Sequence, residues 1–315
     1  MTVENRAAPA LVVERLTRRF GRALALDDLS LSLESGVVYG LTGPNGGGKS
    51  TLLRILATLE RPTSGRISVH GRDPLSEPRA VRQIVGYAGP PTGTPNLTVL
   101  EELAFAARLA GLGQAEREEA IGVMLQLVDL HDRRHRAVGT LSRGDLRRLS
   151  IARALVHDPL LVLLDGPFDG LDAAARAELR AVLAELGQLG KTLLIAAAGL
   201  GELSGLCHAV GVLDRGRLVM SGPPEELLAA SAGRPLRLTV AGGVELARAV
   251  LARHGAARAP LELDDETLLF RFDGDAGDQV ALLVDLVASG VPVVQLAPAV
   301  EEAEAELAQL VRGAP

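Results

Sequence analysis

Tryptophan is absent, and the 315 residues include only two tyrosines, five phenylalanines and one cysteine. A single cysteine, Cys207, rules out an intrachain disulfide and fits a reducing compartment. It lies in an apolar stretch that reads as helical, so it is expected to be a small core residue rather than a reactive thiol. With so few aromatics the core must come from Leu, Val, Ile and Ala, which a hydrophobic share of 47% supplies. Lysine is almost missing too, with only Lys49 and Lys191 against 31 arginines. No run of about 18 or more apolar residues occurs, so no direct membrane span is expected. No signal-peptide pattern opens the chain. A net charge of −6 and a pI near 5.6 offer no basic face, which excludes nucleic acid as an expected partner.

What is present is concentrated between Gly40 and Thr51, GLTGPNGGGKST. The apolar run Val37–Leu41 precedes it and the helix-like run Leu52–Leu59 follows. Gly43, Gly48, Lys49 and Ser50 have the spacing of a phosphate-binding loop. Glycines there let the backbone turn tightly and bring several N–H groups onto one anion at the positive end of a helix. Lys49 is expected to reach the terminal phosphates and Ser50 to ligate Mg²⁺. A chain so biased against lysine keeps one where a compact charge suits better than a planar guanidinium. A nucleoside triphosphate is the expected ligand.

The rest of the chain divides by pattern. Residues 1–9 read as a loose tail. Leu11–Leu16 and Ala23–Leu33 alternate as strands, with Arg18-Arg19-Phe20-Gly21 between them. Val81–Tyr87 leads into a loop dense in Gly and Pro through Pro95. Helical patterns cover Thr98–Ala110 and Gln114–Leu130, and a further helix runs to His157. Leu160–Leu164 is an apolar run ending in Asp165, as a buried parallel strand should be. Helix Ala173–Leu189, strand Thr192–Ala197 and the strand pair Val210–Leu213 and Arg217–Met220 close this part. A stretch rich in Pro, Ala and Ser from Pro223 to Pro235 suggests a boundary. Beyond it strands at Leu236–Val240, Thr267–Phe272 and Val291–Leu296 alternate with helices at Val244–His254 and Ala276–Ala288, before a final helix Glu301–Val311. The acidic run Asp264-Asp265-Glu266 reads as a solvated turn.

Further motifs fall in a fixed order: Leu141-Ser142-Arg143-Gly144-Asp145, then Leu160–Asp165, then Gly170-Leu171-Asp172. With the phosphate loop these resemble the Walker A, signature, Walker B and D-loop elements of ABC transporter ATP-binding subunits, over residues 10–230. The resemblance implies an α/β P-loop NTPase fold with a helical subdomain at about 90–157. Residues 236–315 form a small α+β domain, of which 236–296 resembles the C-terminal domain of daunorubicin-type drug exporters. It implies ATP and Mg as cofactors. Phe20 matches the aromatic that stacks on adenine. Gly43, Pro44, Asn45, Gly46, Gly47, Gly48, Lys49, Ser50 and Thr51 match the phosphate loop, and Ser50 with Asp165 the metal site. Ser142 and Gly144 match the positions that touch, in trans, the γ-phosphate held by an opposite subunit. Asp172 matches the residue that communicates across a dimer. A membrane permease and a second ATP-binding subunit, in a homo- or heterodimer, are the implied partners. The implied location is the cytoplasmic face of the cell membrane, peripheral through the permease.

The sequence also departs from that family. The carboxylate after the Walker B Asp is replaced by Gly166, the switch histidine by Ala198, and the glutamine of the following loop by Pro90. Asp145 places an anion where a γ-phosphate should approach, which would oppose tight closure. No catalytic residue is assigned, although Asp169 could substitute for the missing carboxylate. The expectation is therefore an ATP-binding exporter subunit with weak or absent hydrolysis (ATP + water to ADP + phosphate), paired with a competent ATPase subunit. A slow but active homodimeric ATPase and an ATP-dependent switch without transport remain alternatives.

Overall fold

The computed structural model describes residues 9–230 and 233–299. The expected helix Glu301–Val311, and all of the expected tail but residue 9, lie outside the described residues. The chain divides into two compact units, Met1–Pro224 and Glu225–Pro315. The first contains β1 (Leu11–Phe20), β2 (Ala23–Leu33), β3 (Val38–Thr42), α1 (Lys49–Leu56), β4 (Ser64–Val69), α2 (Pro78–Ile84), β5 (Val85–Ala88), α3 (Val99–Leu109) and α4 (Gln114–Leu127). It continues with α5 (Arg143–Leu155), β6 (Leu161–Asp165), α6 (Ala173–Gln188), β7 (Thr192–Ala196), α7 (Leu200–Leu203), β8 (Ala209–Asp214) and β9 (Arg217–Gly222). Helix α8 (Pro224–Ala230) follows at the junction.

A six-stranded sheet in the order β5-β6-β7-β3-β8-β9 organises this unit. All its pairings are parallel except β8 with β9. Strand β7 is buried throughout, and β6 is buried until Asp165 at its end, as strands covered on both faces must be. Strand β3 lies between β7 and β8, so the loops leaving β3, β6 and β7 gather at one edge of the sheet, where α/β folds bind ligands. A three-stranded antiparallel sheet, β2-β1-β4, closes the core. Leu52, Leu53, Ile55 and Leu56 of α1 pack in one cluster with Leu11, Leu16 and Leu26 of that sheet and with Leu161, Leu163 and Leu194 of the larger one. Each such fully buried leucine contributes about 1.5–3 kcal/mol. Helices α3, α4 and α5 share a separate core of Leu103, Ala107, Ile121, Leu125, Leu149 and Ala152. Helix α3 is started by a reciprocal cap between Thr98 and Glu101.

Several elements differ from their sequence pattern. Strand β1 continues past Leu16 through Phe20, because irregular pairing near Arg15 and Arg18 breaks the alternation without ending the strand. The run Val81–Tyr87 is two elements: α2, with Pro78 in its first turn, and β5. Helix α4 stops at Leu127, before the expected Leu130. Cys207 is buried as expected, but in the connection after α7 rather than in a helix.

Burial pushes the Cys207 thiol up to about 12. Near pH 8 only on the order of 10⁻⁴ of it is thiolate. A maleimide is therefore expected to label the folded chain at least about 100-fold more slowly than the chain in guanidinium. Equal labelling rates would show that Cys207 is not held in this core.

The second unit holds β10 (Arg234–Val240), α9 (Val244–Arg253), β11 (Ala257–Asp264), β12 (Thr267–Phe272), α10 (Ala276–Ala288) and β13 (Val293–Pro298). Its sheet, in the order β11-β12-β10-β13, is antiparallel. Leu236, Leu238, Phe270 and Phe272 of the sheet pack against Ala247 and Leu251 of α9 and Leu282 and Leu286 of α10. Strand β11 has no counterpart in the sequence reading, since Pro260 argues against a strand; it is tolerated because β11 is an edge. The acidic run at 264–266 is an exposed turn between β11 and β12.

Candidate functional site

The phosphate loop leaves the end of β3 and is pressed between two backbones. Gly43 has φ 130°, and a Cβ there would land on the Leu213 carbonyl oxygen. A Cβ on Gly47 would come within 2.8 Å of the same oxygen, and one on Gly48 within 2.6 Å of the Ala25 carbonyl. These positions therefore accept only glycine. Gly48, at φ 107°, starts α1 with no side-chain cap on the first-turn N–H groups, which leaves them to an anion. Asn45 and Gly46 are exposed, and Pro44, Lys49, Ser50 and Thr51 are partly so. The Lys49 ammonium folds back over the loop, donating to the carbonyls of Gly43 and Pro44, the latter at 3.2 Å.

Ser50 and Asp165 are 115 residues apart in sequence and meet across the sheet. The Ser50 hydroxyl donates to Asp165 Oδ1 at 2.8 Å. The Tyr87 hydroxyl, at the end of β5, donates to Asp165 Oδ2 at 3.3 Å. Burial, and then the negative charge of Asp165, raises the Tyr87 pKa. A hydroxyl beside a carboxylate is a hard oxygen pair that fits Mg²⁺. Among the described residues no group of three or more His, Cys, Asp or Glu could hold an ion by itself. Such a pair matches a cation that takes its other oxygens from phosphate and water.

Gly166 follows Asp165 in a left-handed turn, φ 60°, and a Cβ there would land on Asp169 Oδ2. The Asp169 carboxylate thus fills the space over Gly166. Phe168 between them is fully buried, and the Asp169 N–H donates to the Gly166 carbonyl at 3.2 Å, which fixes the turn. Ala198 lies just past β7, its methyl exposed and its carbonyl accepting from Thr42 at 3.3 Å. The nearby sheet histidines sit at the other end of the strands. His208 Nδ1 accepts from the N–H of Val38 at the start of β3, and His157 Nε2 is 3.2 Å from the carbonyl of Val85 at the start of β5.

Phe20 ends β1 with 44% exposure, and the Arg18 guanidinium is 4.2 Å from its ring centroid. Ser142 caps α5 by accepting from the N–H of Asp145 at 3.1 Å. Asp172 caps α6 through the N–H of Ala175 at 2.9 Å. The anion at Asp145 is answered within the chain, its carboxylate lying 3.7 Å from Arg133. Its opposition to a γ-phosphate is correspondingly weaker than its charge alone suggests.

Sequence reasoning missed two residues here, Tyr87 and Arg147. Arg147, on α5, is only 4% exposed. It donates through Nη1 to the carbonyl of Gly89, at 3.0 Å, and to that of Asp165, at 3.4 Å. In a segment reading Leu-Arg-Arg-Leu an arginine ordinarily faces solvent. No local signal marks it: Arg147 is buried with Leu149 through Ala152, whereas its neighbour Arg148 pairs with Asp129 and Glu178.

A family model described as ABC transporter matches residues 26–169. The daunorubicin/doxorubicin resistance ATP-binding protein DrrA of Streptomyces peucetius is 36% identical over 230 residues, covering 73% of this chain and 70% of that protein. The daunorubicin resistance ATP-binding protein DrrA3 of Streptomyces coeruleorubidus is 35% identical over 245 residues, covering 78% of each. The Fe(3+) ions import ATP-binding protein FbpC of Rhizobium etli is 38% identical over 220 residues, covering 70% of this chain and 62% of that one. Among solved structures, an ATP-binding subunit of an ABC transporter superposes with a TM-score of 0.64 at 27% identity, covering 70% of this chain and 92% of that chain. The cbiO1 protein of Clostridium perfringens, part of the ABC transporter complex cbiONQ, gives 0.64 at 26% identity, covering 78% and 95%. With the phosphate loop, the Ser50–Asp165 pair and the signature helix in one sheet-and-helix unit, the chain belongs to the ATP-binding subunits of ABC transporters.

Proposed function

We propose that this subunit binds MgATP at the loop Gly43–Thr51, hydrolyses it weakly, and drives or regulates a separate membrane permease, as part of an exporter. The observation that carries this reading is the contrast within one site. The groups that bind are present: the loop, Lys49, and the Ser50–Asp165 pair. Those that would position water or sense the γ-phosphate are replaced by Gly166, Ala198 and Pro90. Phosphoryl transfer depends on positioning and on charge stabilisation in the transition state. Loss of a general base lowers the rate by on the order of 10²–10⁴. Ser50 and Asp165 would hold Mg²⁺, which when bound would supply neutralisation of phosphate charge. Lys49 would exchange its two carbonyl acceptors for phosphate oxygens. Phe20 would stack on the base.

Ser142 and Gly144 would complete the site of a second, competent ATP-binding subunit in a head-to-tail pair, while this chain's own loop forms the slow site. No helix among the described residues is long and apolar enough to cross a membrane, so membrane contact would run through the permease. A cavity of about 540 Å³ beside Pro90 is lined by Phe105 and Leu109 together with Arg82 and Arg153, among others. It suits an apolar permease segment carrying acidic groups. Relatives named for drug resistance support export. A slow, active homodimer is the second reading, favoured by the Asp169 carboxylate over Gly166.

The test is ATP affinity with and without Mg²⁺, together with steady-state phosphate release. Tight MgATP binding with release near background is expected. Asp165→Asn is expected to weaken the Mg²⁺-dependent part of binding by about 10–100-fold, the usual effect of removing a group that supports a metal. Clear turnover abolished by Asp169→Asn would replace the first reading with the second. Absence of MgATP binding would overturn both.

A further inference from the structure

The loop 89–94 joins the nucleotide edge of the sheet to the helices α3 and α4, yet it has Pro90 where a side-chain donor would be needed to feel the nucleotide. Its hydrogen bonds run to α5 and α3 instead. Arg147 Nη1 donates to the carbonyl of Gly89 at 3.0 Å and to that of Asp165 at 3.4 Å. Six residues further along α5, Arg153 Nη1 donates to the carbonyl of Thr92 at 2.9 Å and pairs with Glu102 of α3 at 3.0 Å. Glu102 is only 3% exposed, and its other oxygen accepts from the N–H of Thr94 at 3.3 Å. A continuous set of charge-assisted contacts therefore runs from the end of the Walker B strand through the loop into α3.

Arg147 is the member of this set that reaches the end of the Walker B strand. Its Nε is buried without a hydrogen-bond partner. Burying a guanidinium carries a desolvation penalty that apolar packing would avoid, so its presence is poor evidence for stability alone. Burial draws the Arg147 pKa below the ordinary arginine value, while the carboxylates of Asp169 and Asp165 pull it back up. Those two carboxylates are the ones that a metal and a triphosphate at Ser50 and Asp165 would approach. A fixed cation feels such a change in charge directly, in a region of low dielectric. Through Nη1 it is tied to the carbonyl of Gly89 at the start of the loop as well as to that of Asp165.

We propose that Arg147 is the positioning residue that couples MgATP at Ser50 and Asp165 to the loop 89–94 and, through Arg153 and Glu102, to α3. This rests on the reading that the chain binds MgATP. Arg147 does not touch the nucleotide; it sets the loop according to whether nucleotide is present. The contact with Gly89 makes Arg147 a substitute for the missing side-chain donor at position 90.

The test is backbone hydrogen exchange across residues 86–94, with and without MgATP, alongside MgATP affinity measured independently. In the unmodified chain MgATP is expected to slow loop exchange by about fivefold or more, the size of a modest change in local opening free energy. Arg147→Gln is expected to keep MgATP affinity within about threefold, since no nucleotide contact is lost, and to abolish the loop response. Arg147→Lys keeps the charge without the planar fork, and is expected to recover part of the response. If Arg147→Gln does not fold, Arg147→Lys carries the same comparison. There, normal affinity with a diminished loop response supports the proposal, and an unchanged response overturns it. A variant whose loop exchanges faster without nucleotide but responds to MgATP as the unmodified chain does would make Arg147 purely structural, and would overturn the proposal. So would MgATP binding to the unmodified chain with no loop response. Failure of the unmodified chain to bind MgATP at all would instead overturn the functional reading, and this inference with it.

Discussion

Glutamate at position 166 is expected to leave phosphate release unchanged on its own, and to raise it by on the order of 10² once Asp169 is shortened to serine in the same chain. The missing carboxylate looks restorable by one substitution, but the turn opposes it. Gly166 is left-handed, which costs a residue with a Cβ roughly 1–2 kcal/mol. Its Cβ would also fall on Asp169 Oδ2, so the new glutamate and Asp169 would compete for one space as like charges. The buried Phe168 keeps the turn from relaxing away. Trimming Asp169 opens that space and leaves only the backbone strain. Phosphate release from the unmodified chain, each single variant and the double variant forms a cycle whose coupling reports the conflict. A gain of about 10² from Gly166→Glu alone would show that Asp169 does not hold that space. No gain in the double variant would show that the absence of a carboxylate at position 166 does not limit hydrolysis.

Gly43→Ala is expected to lower MgATP affinity by about 100-fold or more and to destabilise the first unit by about 3 kcal/mol or more. The added methyl would land on the Leu213 carbonyl oxygen, and the φ of 130° is closed to alanine. To accept it, β3 and β8 must part at the point where the loop leaves the sheet. Gly46→Ala is the internal control. Gly46 has φ 78° with nothing within 4 Å of its added methyl, so only backbone strain of about 1 kcal/mol is expected. In a unit of this size that lowers Tm by about 2–4 °C. Thermal melts with and without MgATP separate the two. Equal effects at both positions would mean that the Leu213 backbone does not confine the loop.

The site was legible in the sequence where its chemistry is local. The phosphate loop lies in one run of residues, and both its glycines and the β3–α1 context follow from the spacing. The Ser50–Asp165 contact could be expected only through the resemblance, because 115 residues separate the two. Tyr87 and Arg147 escaped because each acts through a contact fixed by sheet order and helix rotation, which no short-range pattern encodes. Asp169 was visible as a carboxylate nearby, whereas the left-handed turn that places it over Gly166 was not. Alternation likewise gave β2 its full length but stopped β1 early, where irregular pairing near Arg15 and Arg18 interrupts the pattern. Strand β11 was hidden by Pro260, since a proline is evidence against a strand only when that strand is central.

That same proline bears on how copies of the chain can meet. In the four-stranded sheet of the second unit, as described, both outer strands carry a proline: Pro260 on β11 and Pro298 at the end of β13. Each removes one donor from its strand. A strand arriving from another molecule to extend the sheet would find each rim incomplete, the arrangement that discourages edge-to-edge polymerisation. Association by sheet extension is thereby disfavoured even at high local concentration.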